Sequence, residues 1–595
     1  MKKKSKRGRR GKAIDPITVS VIRGGLTSLC TEMGMMVERT AYSPIFSEGL
    51  DYSIAAYDGK GEMVAQAAFD PCHLGAMAFA VGYSLKEIGS DNLEPGDVVM
   101  HNDPFRGGTH IHDFTIFKPV FFGKEIIAMP AIRAHQIDAG GMAPGGNTGE
   151  ATEIFQEGIR IPPVKILSRG REVIDVWRLW LSNVRVPTAV HGDMRAVVGA
   201  LERAGDRILY YVDKYGIETF KTCSAEIQRI SENLMRKEID MLPEGTYEYE
   251  DYMDDSGTST DPLRIKVAIT IKGSNLIADY TGSSPQSRGP INAPYAVTAS
   301  NTYIGVLHAL SQNWTGVPTI NHGCFRPIKI VAPPGTCVNA NYPSAVYGGN
   351  VEISNRLVDV VLGALGQVIP QKNMKAACYG SCHGVTCGGM NPENNQPYVW
   401  YLYKEGGWGA RATRDGNTAL FCAATNNKNQ PMEIFEMRYP WLCEEYSLYE
   451  DSGGPGKRRG GLGTRHVLRL LAPEAELNAI ADRFTRSPYS VFGGLPPKPS
   501  PCGHWNDYRF KLSGTREFKH ATELFGKKSP SKWSKIVLHA GDRVEQLTVG
   551  GGGFCNPRER ERHLVLDDVK NGYVSIESAK EYYGVEIGEP ELLER

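Results

Sequence analysis

The spacing of apolar residues near the start of the chain predicts a long helix followed by a hairpin. Ile22, Leu26 and Leu29 begin a run of apolar positions that recur every three to four residues. Asp15 and the proline after it are typical of a capped helix start. Residues 51–68 then alternate as two short strands around an Asp-Gly-Lys-Gly turn, which favours a hairpin.

The same reading of later segments indicates a sheet-rich protein with a few long helices. Residues 98–138 read as consecutive strands, whereas helical spacing returns at 193–214, 224–240 and 351–368. The 66 glycines and 36 prolines punctuate many short apolar runs. We therefore expect a mixed α+β fold that is β-rich, with several subdomains, a few long helices and glycine-rich loops.

The length of 595 residues is more than one hydrophobic core usually serves, so we expect several domains. The pattern changes to alternating strands near residue 245 and becomes glycine-rich in the last third. The predicted division is a disordered basic tail (1–14), a metal-binding N-terminal domain (15–245), a mixed α/β middle domain (246–440) and a glycine-rich, β-rich C-terminal domain (441–595).

The balanced charge of the chain excludes some classes of partner. Basic and acidic residues number 67 each, which argues against a nucleic-acid partner. Although the first twelve residues are strongly basic, they lack apolar groups to bury, so a solvated tail is favoured over a nucleic-acid or membrane contact.

No segment approaches the roughly 20 apolar residues of a membrane span, and no secretory signal is recognised. A cytoplasmic protein with reduced cysteines is expected.

Two short segments carry candidate metal chemistry. The stretch "HNDPFRGGTHIHDFTIF" contains His110 and Asp113, and "RAHQIDAGG" contains His135 and Asp138. Both have a histidine three residues before an aspartate, and imidazole with carboxylate suits zinc, manganese or iron. A single His-x-x-Asp is a weak signal, because histidines near turns often bond only to a carbonyl. On residues alone, a metal site and a polar loop are both open.

The same segments resemble a known family. "NDPFRGGTHIHDFTIFKPVF", "RAHQIDAGGMAPGG" and "ATEIFQEGIRIPPVKI" are similar to the signature of the hydantoinase B family, and further similar landmarks extend over about residues 15–585. The resemblance implies one divalent metal ion held by His110, Asp113, His135 and Asp138. It also implies a hetero-oligomer with a hydantoinase A-like ATP-binding subunit that uses ATP and magnesium, and a small accessory subunit is a further candidate partner.

Other polar residues are candidates for catalysis or binding. His112 stands where the family usually has proline, so we predict a catalytic role for His112 and for Asp103. Further candidates for substrate or anion binding are Glu48, Asp51, His73, Arg458 and Arg459. The two arginines lie in "GGPGKRRGGLGTR", for which an anion-binding loop and an ordinary tight turn are equally open.

Two reactions are compatible with the resemblance. The preferred interpretation is the metal-binding catalytic subunit of an ATP-dependent ketone carboxylase, which receives an enol phosphate and carboxyphosphate or CO2 and forms a β-keto acid. This preference rests on His112 and on the unusual segment that contains Cys378, Cys382, His383 and Cys387, where buried thiols are favoured over a second metal. The alternatives are ATP-dependent hydrolysis of a cyclic amide and a non-catalytic scaffold for the kinase-like partner.

Overall fold

The mixed α+β class is confirmed by a computed structural model, which describes residues 15–311, 314 and 320–588. The predicted basic tail lies outside the described residues. The N-terminal elements are, in chain order, α1 (Pro16–Thr40), α2 (Pro44–Ser47), β1 (Tyr52–Asp58), β2 (Met63–Gln66), α3 (Cys72–Ile88), β3 (Val98–His101), β4 (Asp113–Phe117), β5 (Val120–Phe122), β6 (Glu125–His135), β7 (Val164–Ser168), β8 (Arg171–Glu172), α4 (Ile174–Leu181), α5 (Pro187–Tyr215) and α6 (Ile217–Asp240).

An aspartate cap and a buried apolar stripe explain the position of α1. The Asp15 carboxylate accepts hydrogen bonds from the amides of Ile17 and Thr18 at 3.2 Å each, so it caps α1 as the sequence predicts. The apolar stripe of α1 is buried against α5 and the β1–β2 hairpin. The strands β1 to β8 form one sheet in the order β2-β1-β6-β4-β3-β7-β8, and β5 pairs with β6.

The middle part combines a small sheet with two buried helices. Its elements are β9 (Gly245–Met253), β10 (Leu263–Lys272), β11 (Asn275–Asp279), α7 (Tyr295–Leu310), α8 (His322–Phe325), β12 (Ile328–Val331) and α9 (Ser354–Leu365). The sheet order is β12-β11-β10-β9, with β11 and β12 parallel. The helix predicted at 351–368 is α9, which packs on β9, β10 and α7 and begins with a π-helical turn over Gly349–Ile353.

The C-terminal part packs two four-stranded sheets around one core. Its elements are β13 (Gly384–Asn391), β14 (Gln396–Leu402), α10 (Met432–Arg438), β15 (Trp441–Leu448), β16 (Thr464–Leu470), β17 (Glu474–Ile480), β18 (Asp507–Lys511), α11 (Ala521–Leu524), β19 (Lys532–His539), β20 (Arg543–Leu547), α12 (Arg562–Lys570) and α13 (Ile576–Ser578). The sheet orders are β14-β13-β17-β19 and β15-β16-β20-β18. Trp400, Trp441 and Trp533 belong to the shared core.

The sheets bear on the predicted domain boundaries in different ways. Residue 245 is the first residue of β9, so the first boundary falls where a new sheet begins. Residue 440 lies just before β15, but β13 and β14 precede it and share a sheet with β17 and β19, which follow it. One sheet therefore draws strands from both sides of residue 440, and the division into domains stays a prediction.

Candidate metal centre

The register of the N-terminal sheet places candidate ligands at one end of three neighbouring strands. Asp113 is the first residue of β4 and lies directly opposite His135, the last residue of β6. Asp51 immediately precedes β1, and its carbonyl accepts the amide of His135 at 3.0 Å. Because β4 and β1 both run antiparallel to β6, the start of these two strands meets the end of β6.

The Asp113 carboxylate lies between two histidines of the predicted ligand set. Its Oδ2 atom lies 3.1 Å from Nδ1 of His110, and its Oδ1 atom lies 3.3 Å from Nδ1 of His135. All three side chains are buried, and one ligand atom from each lies within 4.8 Å of the others. The structure therefore brings together three of the four residues predicted as metal ligands.

Two residues that are distant in sequence also contact the Asp113 carboxylate. His73, near the start of α3, places Nε2 3.1 Å from Asp113 Oδ2. Asn350, in the π-helical turn before α9, donates from Nδ2 to the same oxygen at 3.1 Å. Thr109 also donates to Asp113 through its hydroxyl. These contacts fix the carboxylate, because a side chain with several partners has few alternative orientations.

The ring of His135 is held by stacking. Tyr401 lies nearly parallel to it at 5.1 Å between ring centroids, and His112 lies 5.4 Å away at an interplanar angle of 23°. Tyr347 meets the His112 ring edge-on at 5.4 Å. His112 is thus adjacent to the candidate ligands but is fully buried, and neither of its ring nitrogens has a hydrogen-bond partner among the described residues.

Burial and the neighbouring charges set the protonation of this group. Burial opposes ionisation of Asp113, but His110 and His73 hold its pKa well below the usual range. Burial likewise opposes the charged form of His73, but Asp113 and Asp70 raise its pKa to about 9. Burial raises the pKa of Asp51 to about 6 against the opposing effect of His135. The carboxylates and imidazoles therefore form one electrostatic unit.

A narrow cavity of about 20 Å³ opens beside these side chains. Such a volume holds about one water molecule. Carboxylates, imidazoles, phenols and two thiols line it. Its lining includes Asp51, Asp70, Cys72, His73, His110, His135, Asn350, Cys382, Tyr401, Tyr403, Phe421 and Thr425.

The donors fit a divalent cation. Two imidazoles and a carboxylate suit zinc, manganese and iron, and the observed separations of 3.1 and 3.3 Å match the roughly 3.3 Å edge of a tetrahedron with bonds of about 2.0 Å. In the described part of the chain, both ring nitrogens of His110 and Nε2 of His135 are buried without a hydrogen-bond partner. Each histidine thus keeps at least one ring nitrogen free to bind an ion.

Asp138, the fourth predicted ligand, has other partners. Its Oδ1 atom lies 3.0 Å from Nη1 of Arg185 and accepts the amide of Gly145 at 3.3 Å, and its Oδ2 atom accepts the amide of Arg185 at 2.6 Å. Asp138 lies in the loop three residues beyond the end of β6, and it is not part of the group formed by His110, Asp113 and His135. Asp51 lines the cavity, whereas Asp138 does not.

Two further predicted residues lie outside this cavity. Asp103 caps a short 3₁₀ turn by accepting the amide of Phe105 at 3.0 Å, and it pairs with Arg106 and with Arg160. Glu48 is half-buried and accepts the Ser47 hydroxyl at 3.1 Å. The catalytic role predicted for Asp103 and the binding role predicted for Glu48 have no support from this arrangement.

The loop that carries Arg458 and Arg459 already uses its backbone amides. Every backbone amide from residue 457 to residue 463 already donates to a protein oxygen, for example Arg458 to the Phe554 carbonyl and Gly461 to the Trp408 carbonyl. The Arg459 guanidinium lies 3.4 Å from Asp568 and donates to the Gly460 carbonyl. The glycines serve close backbone packing, so the backbone amides of residues 457–463 are not available to an anion, and the binding roles of Arg458 and Arg459 stay predictions.

The cysteine segment contributes one thiol to the cavity. Cys382 lines it, and its Sγ atom lies 3.6 Å from Sγ of Cys422. Cys378 and Cys387 are buried, and His383 packs on the ring of Tyr508 at 4.1 Å. The favoured prediction of buried thiols agrees with this packing.

Asn350, Tyr401 and Asp70 were not among the predicted site residues. Asn350 contacts Asp113 and Tyr401 contacts His135, each from more than 200 residues away in sequence. No local sequence pattern could therefore have predicted them. The π-helical turn that carries Asn350 is a feature often found at functional sites, but it is visible only in the structure.

Comparisons with known proteins identify the family. A model of the hydantoinase B/oxoprolinase family matches residues 15–557. A protein of Methanocaldococcus jannaschii is 37% identical over 96% of both chains. A protein from Pseudomonas sp., named as one subunit of a D-/L-hydantoinase, is 32% identical over 98% of this chain and 97% of its own. The chain belongs to the hydantoinase B/oxoprolinase family, and the prediction of an enzyme of this family is confirmed.

Two solved structures share the fold. An ATP-dependent caprolactamase from Pseudomonas jessenii superposes with a TM-score of 0.87 at 30% identity over 97% of both chains. A nucleotide-free acetone carboxylase superposes with a TM-score of 0.86 at 19% identity, over 97% of this chain and 80% of the other, and at that identity it shows the fold alone. Within the described residues, no helix has the length and apolar character needed to span a bilayer.

Proposed function

We propose that this chain is the metal-binding subunit of an ATP-dependent enzyme that hydrolyses a cyclic amide. The observation that carries the proposal is the buried group of His110, Asp113 and His135, which two imidazoles and a carboxylate make suitable for a divalent cation. Support for the substrate class comes from relatives at 30% identity or above that are named as a hydantoinase subunit and as a caprolactamase.

The proposed ligands are His110, Asp113, His135 and Asp51. Asp51 replaces Asp138 because it lines the cavity and its carbonyl accepts the His135 amide at 3.0 Å, whereas Asp138 is bonded to Arg185. A divalent ion held there supplies Lewis-acid polarisation of a substrate oxygen and acidification of a bound water. Zinc, manganese and iron all suit this donor set.

The chain's own residues orient and enclose the reacting groups. His73 and Asn350 fix the Asp113 carboxylate, while Tyr401 and His112 fix the plane of the His135 ring. We assign His112 this positioning role instead of direct catalysis, because it contacts the ring and does not line the cavity. Enclosure excludes water that would otherwise hydrolyse an activated intermediate early.

The ATP-dependent step belongs to a partner in this proposal. A hydantoinase A-like subunit would phosphorylate the amide oxygen with ATP and magnesium, and the activated substrate would then reach the cavity of this chain. The relative from Pseudomonas sp. is named as one subunit of its enzyme, which supports a multi-subunit assembly. A small accessory subunit and a cytoplasmic location stay predictions.

Ketone carboxylation, which the sequence alone favoured, becomes the second candidate. The specific observation in its favour is the acetone carboxylase fold, which extends over 97% of this chain. The order changes because the relatives with named cyclic-amide substrates are more similar in sequence than that structure. A non-catalytic scaffold is the third candidate. The group of His110, Asp113 and His135 argues against it, because a scaffold does not need metal-ligating side chains.

The test is metal content and ATP turnover of the complex with its kinase-like partner. His135→Ala and Asp51→Asn are expected to lose the cavity metal and to lower cyclic-amide turnover by roughly 1000-fold, since several kcal/mol of stabilisation are removed. Asp138→Asn is expected to retain the metal, and His191→Ala, which removes an imidazole outside the cavity, serves as the control.

Substrate choice is tested in the same complex. ATP turnover is measured with lactams and hydantoins, and separately with acetone or acetophenone plus bicarbonate. The proposal expects product only from cyclic amides and without bicarbonate. Product that forms only from ketones with bicarbonate would establish the second candidate, and unchanged metal content and activity in His135→Ala would refute the site.

A further inference from the structure

A second group of metal-ligating side chains lies in the C-terminal part, on elements that do not line the cavity. Cys502 and His504 are in the loop before β18, Asp507 is the first residue of β18, and His520 immediately precedes α11. Ligand atoms of Cys502, Asp507 and His520 lie within 4.8 Å of one another. This is a compact mixture of thiol, imidazole and carboxylate.

The Asp507 carboxylate is the centre of the group. Its Oδ1 atom lies 2.9 Å from Nε2 of His520 and 3.4 Å from Nδ1 of His504, and the two imidazole rings are 4.8 Å apart. Its side chain is 0% exposed, and Oδ2 has no hydrogen-bond partner among the described residues, although Nε of Arg509 lies 3.8 Å from it. A buried carboxylate oxygen without a hydrogen bond is unfavourable, and a bound cation would supply the missing partner.

The outer partners prepare the ligands for a cation. Nδ1 of His520 lies 3.4 Å from the Glu523 carboxylate, so Nε2 is turned towards Asp507. A carboxylate on the second nitrogen is the usual companion of a metal-bound histidine. Nη1 of Arg509 donates to Sγ of Cys502 at 3.1 Å, which fixes the position of the sulfur beside Asp507. Arg509 is itself paired with Glu545.

We propose that Cys502, His504, Asp507 and His520 form a structural zinc site that fastens the loop before β18 to the segment before α11. One thiolate, two imidazoles and one carboxylate make a four-ligand set of the kind that zinc prefers. The segment from residue 502 to residue 520 supplies all four ligands, so the ion closes a loop that no disulfide constrains, since Cys502 is a free cysteine. The site goes beyond the proposed function and does not depend on it.

The test uses the full chain, stripped with a chelator and refilled with zinc or with cobalt(II). Elemental analysis is expected to show about one equivalent of zinc less in Cys502→Ser and in His520→Gln than in the wild type. The sulfur-to-cobalt charge-transfer band in the near ultraviolet is expected to vanish in Cys502→Ser. Cys443→Ser, which removes a half-buried thiol outside this group, is the matched control and is expected to keep both the zinc and the band.

A third variant separates this site from the cavity. His135→Ala is expected to keep the charge-transfer band, because the cavity ligands proposed above include no thiolate. Zinc is also expected to raise the thermal unfolding midpoint of the wild type more than that of Cys502→Ser. Full zinc content and an unchanged cobalt band in Cys502→Ser and His520→Gln would overturn the proposal, leaving a hydrogen-bonded His-Asp-His cluster.

Discussion

Glu157 holds the segment before α9 in place through a buried carboxyl group. Its Oε1 atom accepts the amides of Val346 and Tyr347 at 2.8 Å each, and the Tyr347 ring lies 4.7 Å from that of His110. Burial raises the pKa of Glu157 to about 8, although the two amides oppose the shift. The residue is therefore a proton-dependent link between the chain before α9 and the candidate metal centre.

Glu157→Gln is expected to change how stability depends on pH. The folded pKa is about 8 and the ordinary value is 4.5, so the wild type loses stability as pH rises between these values. The loss is at most about 1.4 kcal/mol per pH unit. Urea unfolding between pH 5 and 8 should show the glutamine variant gaining relative to the wild type as pH rises, whereas the exposed Glu153→Gln should show no such trend. Parallel pH curves for Glu157→Gln and wild type would contradict this.

The ligand residues show what a local pattern can and cannot predict. His110 and His135 each precede an aspartate by three residues, and the structure brings these two histidines together. Asp113, however, begins a strand opposite His135, whereas Asp138 follows a strand end and turns into a loop towards Arg185. The two aspartates therefore point their carboxylates to different places despite their equal spacing from a histidine, because the backbone after each histidine differs.

At the scale of elements, the loop around Gly146 presses against the candidate centre. Gly146 has a φ of +94°, and a Cβ atom at this position would lie 2.2 Å from Cε1 of His112. His112 in turn stacks with His135. The loop therefore depends on glycine both for its backbone conformation and for the space taken by the imidazole.

Gly146→Ala is expected to displace His112 and to lower metal occupancy and turnover at least tenfold. Gly170→Ala is the matched control: its φ is +78°, but no atom lies within 4 Å of the added Cβ. The control should lose only the roughly 1–2 kcal/mol of a left-handed alanine and keep its metal. Equal effects of the two substitutions on metal content would show that the contact with His112 is unimportant.

Helices were predictable where one face is exposed. The helices α5 and α6 were recognised from clear apolar stripes, and α1 from the spacing of its apolar residues and its aspartate-proline start. The helices α3 and α7 were missed, because α7 is buried on nearly every side, α3 is mostly apolar, and neither begins with a side-chain cap. Strands at 98–138 were recognised from their β-branched and aromatic runs.

At the scale of the whole molecule, a buried ion network joins the middle and C-terminal parts. Asp482, just after β17, lies 2.7 Å from Nη2 of Arg356 in α9 and 2.9 Å from Nζ of Lys532 at the start of β19. All three side chains are 0% exposed. The two cations oppose the effect of burial and hold the pKa of Asp482 at about 2.

Asp482→Ala is expected to destabilise the protein by about 3–5 kcal/mol, because two buried cations lose their shared partner. Glu226→Ala removes one member of a solvent-exposed pair with Arg229 and is expected to cost about 1 kcal/mol or less. Denaturant unfolding of the full chain measures both. A loss no larger for Asp482→Ala than for Glu226→Ala would mean that the network contributes little.

The shared sheet of the C-terminal part has a consequence for biosynthesis. The strands β13 and β14 have been synthesised once the chain reaches residue 402. The strands β17 and β19, which complete their sheet, end only at residues 480 and 539. At a synthesis rate of about 5–20 residues per second, the nascent chain carries an open backbone edge for several seconds. Such an edge can pair with another chain. Productive folding of this region therefore awaits nearly complete translation, during which the unfinished sheet needs shielding.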